Sequence, residues 1–350
     1  MNRLLVTGGQ QRTVRSQLIG TEDWCEYHKG LILNIDPLTA DCQQSIQYLS
    51  RPEATSGERP QILFKAGIIE DDRLYICTQT EIMVYSLPKF DLLNYISLPC
   101  FNDVHHVRPM RDGNLLVANT GLDMVLMMTK GGCVLREWNV MGEDPWARFS
   151  KEIDYRKGID TKPLAAHPNY VFCVEDDIWA TRFHLKDAVC LTQPGQRIAI
   201  DVGLPHDGIV HDGLIYFTTV NAYIVIANPR TQKIEEVIDL NSIHGPEVQL
   251  GWCRSLFIEN GKTWIGFSRL RSTRFRENVK WVIQGCKTVL PTRIACYDLQ
   301  AKKCVREIDL EQYGLNAVYS IVDGSICELA DSLQLRSESL VSVEARVALA

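Results

Sequence analysis

Short apolar runs punctuated by turns dominate the chain. One pattern recurs six times, a turn followed by two or three β-formers and then Thr, Ser or Asn. The copies are Leu4–Thr7, Leu74–Thr78, Leu115–Thr120, Ile178–Thr181, Ile215–Thr218 and Trp264–Ser268. Four follow an acidic or glycine-containing turn: Asp71-Asp72-Arg73, Asp112-Gly113-Asn114, Asp176-Asp177 and Asp212-Gly213. Asp-Gly between apolar stretches is a strong hairpin signal, because it tolerates the positive φ that tight turns need.

A second pattern follows each copy, an apolar triplet running into a turn. It reads Leu33–Pro37, Val84–Pro88, Met127–Gly132, Cys190–Gly195, Ile226–Arg230 and Cys296–Gln300. A further apolar stretch closes each unit, as in Val134–Trp138 and Glu236–Leu240. Strands preceding the turns are expected at Ala66–Ile69, Val104–Arg108, Asn169–Val174, Asp207–Val210, Arg254–Ile258 and Val318–Val322. Four short strands per unit of about 40 residues is how a β-propeller blade reads. The last of these strands has no blade after it, and Leu4–Thr7 has no first strand before it. Circular closure solves both and leaves no bare sheet edge. The expectation is an all-β, six-bladed propeller whose C-terminal strand joins the N-terminal blade. One domain would span 1–327, with 328–350 a tail or short helix. Insertions are expected at Gln10–Gly30, Gln47–Gln61, Met141–Ala166 and Leu270–Pro291, the last with Arg271, Arg274 and Arg276.

Composition narrows the class. The chain has 350 residues, 45% hydrophobic and 23% charged, with a formal net charge of −6. That is ordinary globular usage and carries no basic footprint for nucleic acid or anionic lipid. No apolar run reaches the ~18–20 residues of a membrane span, and the start is too short in apolar residues for a signal peptide. The 12 cysteines are scattered and form no C-x-x-C pair, which argues against a zinc ribbon or redox motif and for a reduced, cytoplasmic protein.

Polar residues at the start of each first strand converge on a propeller's axis. In this register they are His105 and His106, His167 to Asn169, His206 and Asp207, Arg254 and Tyr319, with Lys65 to Gly67 from the second blade. Four of the eight histidines fall there. Imidazoles from separate strands suit Fe²⁺ or Zn²⁺, so His105, His106, His167 and His206 are candidate ligands, with Asp103, Asp207 or Glu81 orienting the rings. Metal-free proton transfer by one histidine, with Arg254 on an anion, is the alternative use. A hydrogen-bonded plug filling the channel is the third. His105, His106, Arg254 and Tyr319 are the catalytic candidates. Asn169, Asp207, Arg182 and Arg269 are candidates to touch a small-molecule or peptide substrate, under a lid from Met141–Ala166. His244, in a loop, reads as structural. Neither a phosphate loop nor a G-x-S-x-G elbow is present. The class opposed to an enzyme is a non-catalytic propeller that binds a partner on its loop face.

The run Phe101-Asn102-Asp103-Val104-His105-His106-Val107, followed by Asp112–Val117, resembles the histidine-bearing blade of propeller arylsulfotransferases. A wider match takes in His167-Pro168-Asn169, Pro205-His206-Asp207-Gly208, Gly251–Leu256 and Ile265–Arg271. That ordered set is similar to an uncharacterised bacterial propeller family, a resemblance that implies fold and site positions and no reaction. The arylsulfotransferase likeness implies sulfuryl transfer, with His105 or His106 as nucleophile and Arg254 on the sulfate. Those enzymes are exported and disulfide-bearing, and this chain is expected to differ from them in both respects. Carotenoid-cleaving oxygenases, with four axial histidines on iron, are analogous in metal geometry only.

Overall fold

In the computed structural model the chain is described over residues 2–12, 27–55, 60–245, 248–270 and 290–327. The expected tail at 328–350 and Arg271, Arg274 and Arg276 lie outside the described residues.

The strands form six four-stranded antiparallel sheets. Blade 1 holds β1 (Leu4–Gln11), β2 (Tyr27–Ile35) and β3 (Cys42–Tyr48). Blade 2 holds β4 (Ile68–Glu70), β5 (Arg73–Cys77), β6 (Ile82–Ser86) and β7 (Leu92–Ile96). Blade 3 holds β8 (Val104–Pro109), β9 (Leu115–Asn119), β10 (Met124–Met128) and β11 (Val134–Asn139). Blade 4 holds β12 (Pro168–Val174), β13 (Asp177–Arg182), β14 (Asp187–Cys190) and β15 (Arg197–Ala199). Blade 5 holds β16 (Pro205–His211), β17 (Leu214–Thr219), β18 (Tyr223–Asn228) and β19 (Lys233–Asp239). Blade 6 holds β20 (Trp252–Glu259), β21 (Lys262–Ser268), β22 (Arg293–Asp298) and β23 (Lys303–Asp309). The last strand, β24 (Ala317–Asp323), completes blade 1 by pairing antiparallel with β1, Leu5 opposite Val322 and Thr7 opposite Ser320. The fold is the expected closed six-bladed ring.

Several expected boundaries shift at the edges, and Gln47 and Tyr48, expected in an insertion, belong to β3. Gln10–Gln11 and Tyr27–Gly30 belong to strands rather than to an insertion, because β1 and β2 continue pairing as far as Gln11 opposite Tyr27. The first strand of blade 2 starts at Ile68, and Ala66 instead forms an isolated parallel bridge to His106 in the next blade.

The apolar triplets are continuous rather than alternating because both faces of each sheet are covered by neighbouring blades. Successive strand residues point to opposite faces, so each strand feeds two interfaces. Leu115 and Val117 pack with Tyr75 and Ile82 of blade 2, while Leu116 and Ala118 pack with Val171 and Ile178 of blade 4. Likewise Leu4 faces Trp264 of blade 6, and Leu5 faces Leu74 of blade 2. Close approach leaves no room at Gly208, where a Cβ would stand 2.4 Å from the Phe172 ring of the preceding blade.

The recurrent Thr or Ser after strand two stitches blades together. Thr7 Oγ1 donates to the Lys65 carbonyl at 3.1 Å and Thr181 Oγ1 to the Asp207 carbonyl at 2.6 Å. Thr120 donates to the Pro168 carbonyl, and Ser268 Oγ accepts from Val318 N–H at 3.0 Å. Each bond runs from one blade to the innermost segment of the next. Outer strands meet solvent, and five of them carry a bulge, with Ser45, Leu93, Leu135, Glu235 and Val305 as the extra residues. A bulge twists an edge away from pairing with another chain.

Candidate functional site

The innermost strands break register where the candidate residues sit. A bulge places His105 between the pairs Val104–Asn119 and His106–Ala118. Others leave out Asn169 in β12, Asp207 and Gly208 in β16, Ser255 in β20 and Tyr319 in β24. A bulged residue is released from the ladder and its side chain is re-aimed. Asp207 (φ 62°) and Ser255 (φ 66°) take up left-handed backbone there. Five blades therefore turn a side chain or a kink toward the axis at one level.

The result is a narrow pocket lined by Ala66, His105, Asn169, Tyr170, His206, Asp207, Arg254 and Tyr319. Six of these are candidate side chains, Ala66 belongs to the expected Lys65–Gly67 segment, and Tyr170 is an addition. The open space inside it is about 10 Å³, room for one water-sized group.

Hydrogen bonds fix the imidazole tautomers. His105 Nδ1 lies 2.8 Å from the Asp103 carbonyl, which can only accept, so Nδ1 carries the proton and Nε2 the lone pair. Asn169 Nδ2 donates to the Pro205 carbonyl at 2.9 Å and lies 2.8 Å from His206 Nδ1. His206 Nδ1 is thus the acceptor, and its proton sits on Nε2. Three polar atoms around this pocket are buried without a partner: His206 Nε2, Asn169 Oδ1 and Arg254 Nε.

Arg254 stacks its guanidinium over the Tyr319 ring at 4.4 Å and near the Trp252 ring at 5.4 Å. Tyr319, a catalytic candidate, thus serves as the platform for that cation. Burial pushes the imidazoles of His105 and His206 well below their ordinary pKa, and the charge of Lys65 adds to the effect at His105. Burial likewise lowers His167 to about 3. All three are neutral at pH 7. Burial raises Asp207 to about 6, against the hydrogen bonds that Thr218 and the Ser255 N–H (2.9 Å) give its Oδ2.

Behind His105 stands an ion pair of Lys65 with Asp103. Burial alone would raise the Asp103 carboxyl, but the ammonium beside it holds it well below the usual carboxylate range. The His167 ring meets His105 edge-on at 4.9 Å between centroids.

Several candidates fall elsewhere. His106 follows the bulge and faces the blade 3–blade 4 interface. Its ring stacks on Tyr170 at 3.7 Å, and its Nδ1 accepts the Val171 N–H at 3.2 Å. It is an inter-blade rivet and does not line the pocket. Arg182 is held in a two-pronged pair with Asp187 (2.8 and 2.7 Å) and donates to the Val140 carbonyl. Arg269 is taken by Glu311. Neither reaches the pocket, because an acid on the same blade captures each cation. Glu81, expected to orient a ring, instead accepts from Tyr48 (2.8 Å), Tyr95 (2.9 Å) and Thr78 (2.9 Å). No pocket-lining residue comes from Met141–Ala166. That loop is tied down by Trp146 on Glu137 (2.7 Å), by Tyr155 in the blade 2–blade 3 core, and by Lys157 on the Glu53 carbonyl (2.8 Å).

No three of the four axial histidines bring their donor atoms within 4.8 Å of one another. Among the described residues, the group whose donor atoms all lie within 4.8 Å of one another is His244, in the segment after blade 5, with Cys304 and Glu307 on the outer strand of blade 6, and it could hold a metal. Linear spacing carries no sign of it, since the first two members stand 60 positions apart.

Comparison with known proteins adds the fold and stops there. No family model matches the chain, and no curated protein matches it in sequence. A protein of unknown function from Bacteroides caccae superimposes with a TM-score of 0.58 at 16% identity, over 92% of this chain and 98% of that one. The crystal structure of a nidogen/laminin complex matches with a TM-score of 0.54 at 11% identity, over 92% of this chain and 99% of the other. At such identities the likeness is one of fold. It bears out the expected six-bladed propeller fold. No helix among the described residues is long and apolar enough to cross a membrane.

Proposed function

We propose that this protein recognises a small polar molecule by seating one oxygen of an anionic head group, a carboxylate or a similar oxyanion, at the mouth of the axial pocket. The observation that carries the reading is the trio of unpartnered atoms. Arg254 Nε–H and His206 Nε2–H are donors, and Asn169 Oδ1 is an acceptor beside them. A buried polar atom without a partner costs about 1–3 kcal/mol, so three around one pocket describe a ligand that accepts twice and donates once. Such a head group would have an oxyanion and an adjacent hydroxyl or N–H, as in a 2-hydroxy acid or an acylated amino acid. The guanidinium supplies charge, and the neutral imidazole supplies direction without a second cation to desolvate.

Acid–base chemistry is the second reading, favoured by the opposite tautomers of His105 and His206. His105 keeps a lone pair on Nε2, 3.5 Å from the Lys65 ammonium, and His206 an N–H on its own Nε2. Their depressed pKa values make them weak bases in the free protein, which places recognition ahead of catalysis. The metal-dependent version is less favoured, because His106 is engaged by the Val171 N–H and the axial histidines are not in the group whose donor atoms converge. Sulfuryl transfer survives in narrower form, with the His105 Nε2 lone pair as nucleophile and Arg254 on the oxyanion.

Calorimetric titration with lactate, N-acetylglycine, inorganic phosphate and sulfate tests the proposal. At least one should bind the native chain and lose that binding in Arg254→Met and in His206→Phe. Binding unchanged in Arg254→Met, or no binding by any of the four, overturns it.

A further inference from the structure

The group on blade 6 is separate from the axial pocket and from the reading given to it. We infer that His244, Cys304 and Glu307 bind one divalent metal ion of intermediate softness, such as Zn²⁺ or Co²⁺, and that the ion pins the segment leaving blade 5 onto the outer strand of blade 6.

Three observations carry this. First, the donors are one imidazole, one thiol and one carboxylate, with ligand atoms mutually within 4.8 Å. That mixed set suits a borderline cation, and it leaves a fourth position for water. Second, the backbone puts the two strand ligands on one face. Residues three apart on a regular strand face opposite ways. In β23 the pairing steps from Tyr297–Cys304 to Cys296–Arg306, so Val305 is an extra residue and Cys304 and Glu307 come to share a side. Third, the ring is held by a neighbour. The Tyr297 hydroxyl lies 2.8 Å from His244 Nε2, the kind of outer contact that orients a ligating histidine. His244 is the last residue of a short helical turn, Asn241–His244, which lies against β23.

Two groups must adjust when the ion enters. Arg293 Nε holds Glu307 Oε1 at 2.8 Å, so the carboxylate either turns Oε2 to the metal or exchanges partners. The Cys304 thiol, kept protonated by burial in the metal-free protein, gives up its proton. The balanced step is M²⁺ plus Cys304–SH giving the M²⁺–thiolate and one H⁺, which passes to solvent. No oxidation is involved.

Cobalt titration of the purified chain tests the inference, because thiolate ligation gives Co²⁺ a charge-transfer band that oxygen and nitrogen ligands do not. The native protein should show the band at one Co²⁺ per chain and melt at a higher temperature with Zn²⁺ present. Cys304→Ser should abolish the band, and His244→Ala should weaken Zn²⁺ binding at least about tenfold. Both effects should persist in Arg254→Met, which separates this site from the axial one. Metal-free melting curves of the variants confirm that they are folded. A band that survives in Cys304→Ser would assign the thiolate to another of the cysteines and overturn the inference. So would its absence from the native chain.

Discussion

Asn169 sets the tautomer of His206. Its amide nitrogen spans the Pro205 carbonyl at 2.9 Å and His206 Nδ1 at 2.8 Å, which leaves Nε2–H facing the pocket. The two residues come from adjacent blades, so the direction of a proton donor is decided across a blade interface.

Asn169→Leu should therefore act twice. Loss of the amide leaves Pro205 O and His206 Nδ1 without their donor, a cost of about 1–3 kcal/mol in urea unfolding. Binding of the pocket's ligand should fall as well, because His206 is then free to place its proton on Nδ1. Unaltered stability would show that water replaces the amide.

Arg254→Met should behave in the opposite way. It removes a half-buried cation whose Nε has no partner and keeps the apolar contact with Tyr319. Thermal stability should be unchanged or higher while oxyanion binding disappears, as expected where a site holds groups against the interests of the fold. A large loss of stability would make Arg254 part of the plug that fills the channel.

Stability should fall as the solution is acidified from pH 7 to 5. His105, His106, His167 and His206 have folded pKa values below their ordinary 6.5, so the unfolded chain binds more protons and acid favours unfolding. Asp207 opposes this. Its pKa is raised to about 6, so the folded state takes up the extra proton between about 4 and 6. Four groups outweigh one, and the net slope approaches about 4 kcal/mol per pH unit once the unfolded histidines are charged. Urea midpoints at pH 7.5, 6 and 5 measure it. Asp207→Asn should steepen the decline, and a flat profile would contradict the burial of these imidazoles.

Thr181→Val tests the stitching of blades. The shape is kept, but the 2.6 Å bond to the Asp207 carbonyl is lost. A cost of about 1 kcal/mol is expected, recovered in Thr181→Ser.

A chain ending before Ala317 should not fold cooperatively, because β1 loses its partner and Val318 and Ile321 leave the blade 6–blade 1 core. Ending instead at Cys327 keeps every strand named above. Calorimetry of the two truncations should show a melting transition only in the longer one.

The turns and triplets that announce the blades are local, and they were readable. Asp112-Gly113 and the run Leu115–Ala118 say strand, turn and burial on both faces without reference to anything distant. The axis was readable too, as polar residues where apolar ones belong. What failed was parity and capture. His105 and His106 look equivalent in sequence, but a one-residue bulge hands one to the pocket and the other to Val171. Nothing local marks which of two adjacent residues will be bulged. Arg269 is neutralised by Glu311, 42 positions away, and such a pairing exists only once the blade has formed. The Thr or Ser of each repeat was visible as a pattern, yet its bond to the next blade is not a property of its own repeat.

Closure of the ring also sets a schedule. Thr7 and Ser320 share a hydrogen bond across 313 positions of chain. At a synthesis rate of about 5–20 residues per second, the first sheet waits roughly 15–60 seconds for its fourth strand. Through that interval β1 carries an open edge while the other five blades are completed beside it. The propeller is therefore finished from its beginning, by the last strand among the described residues, and β1 keeps an open edge until that strand arrives.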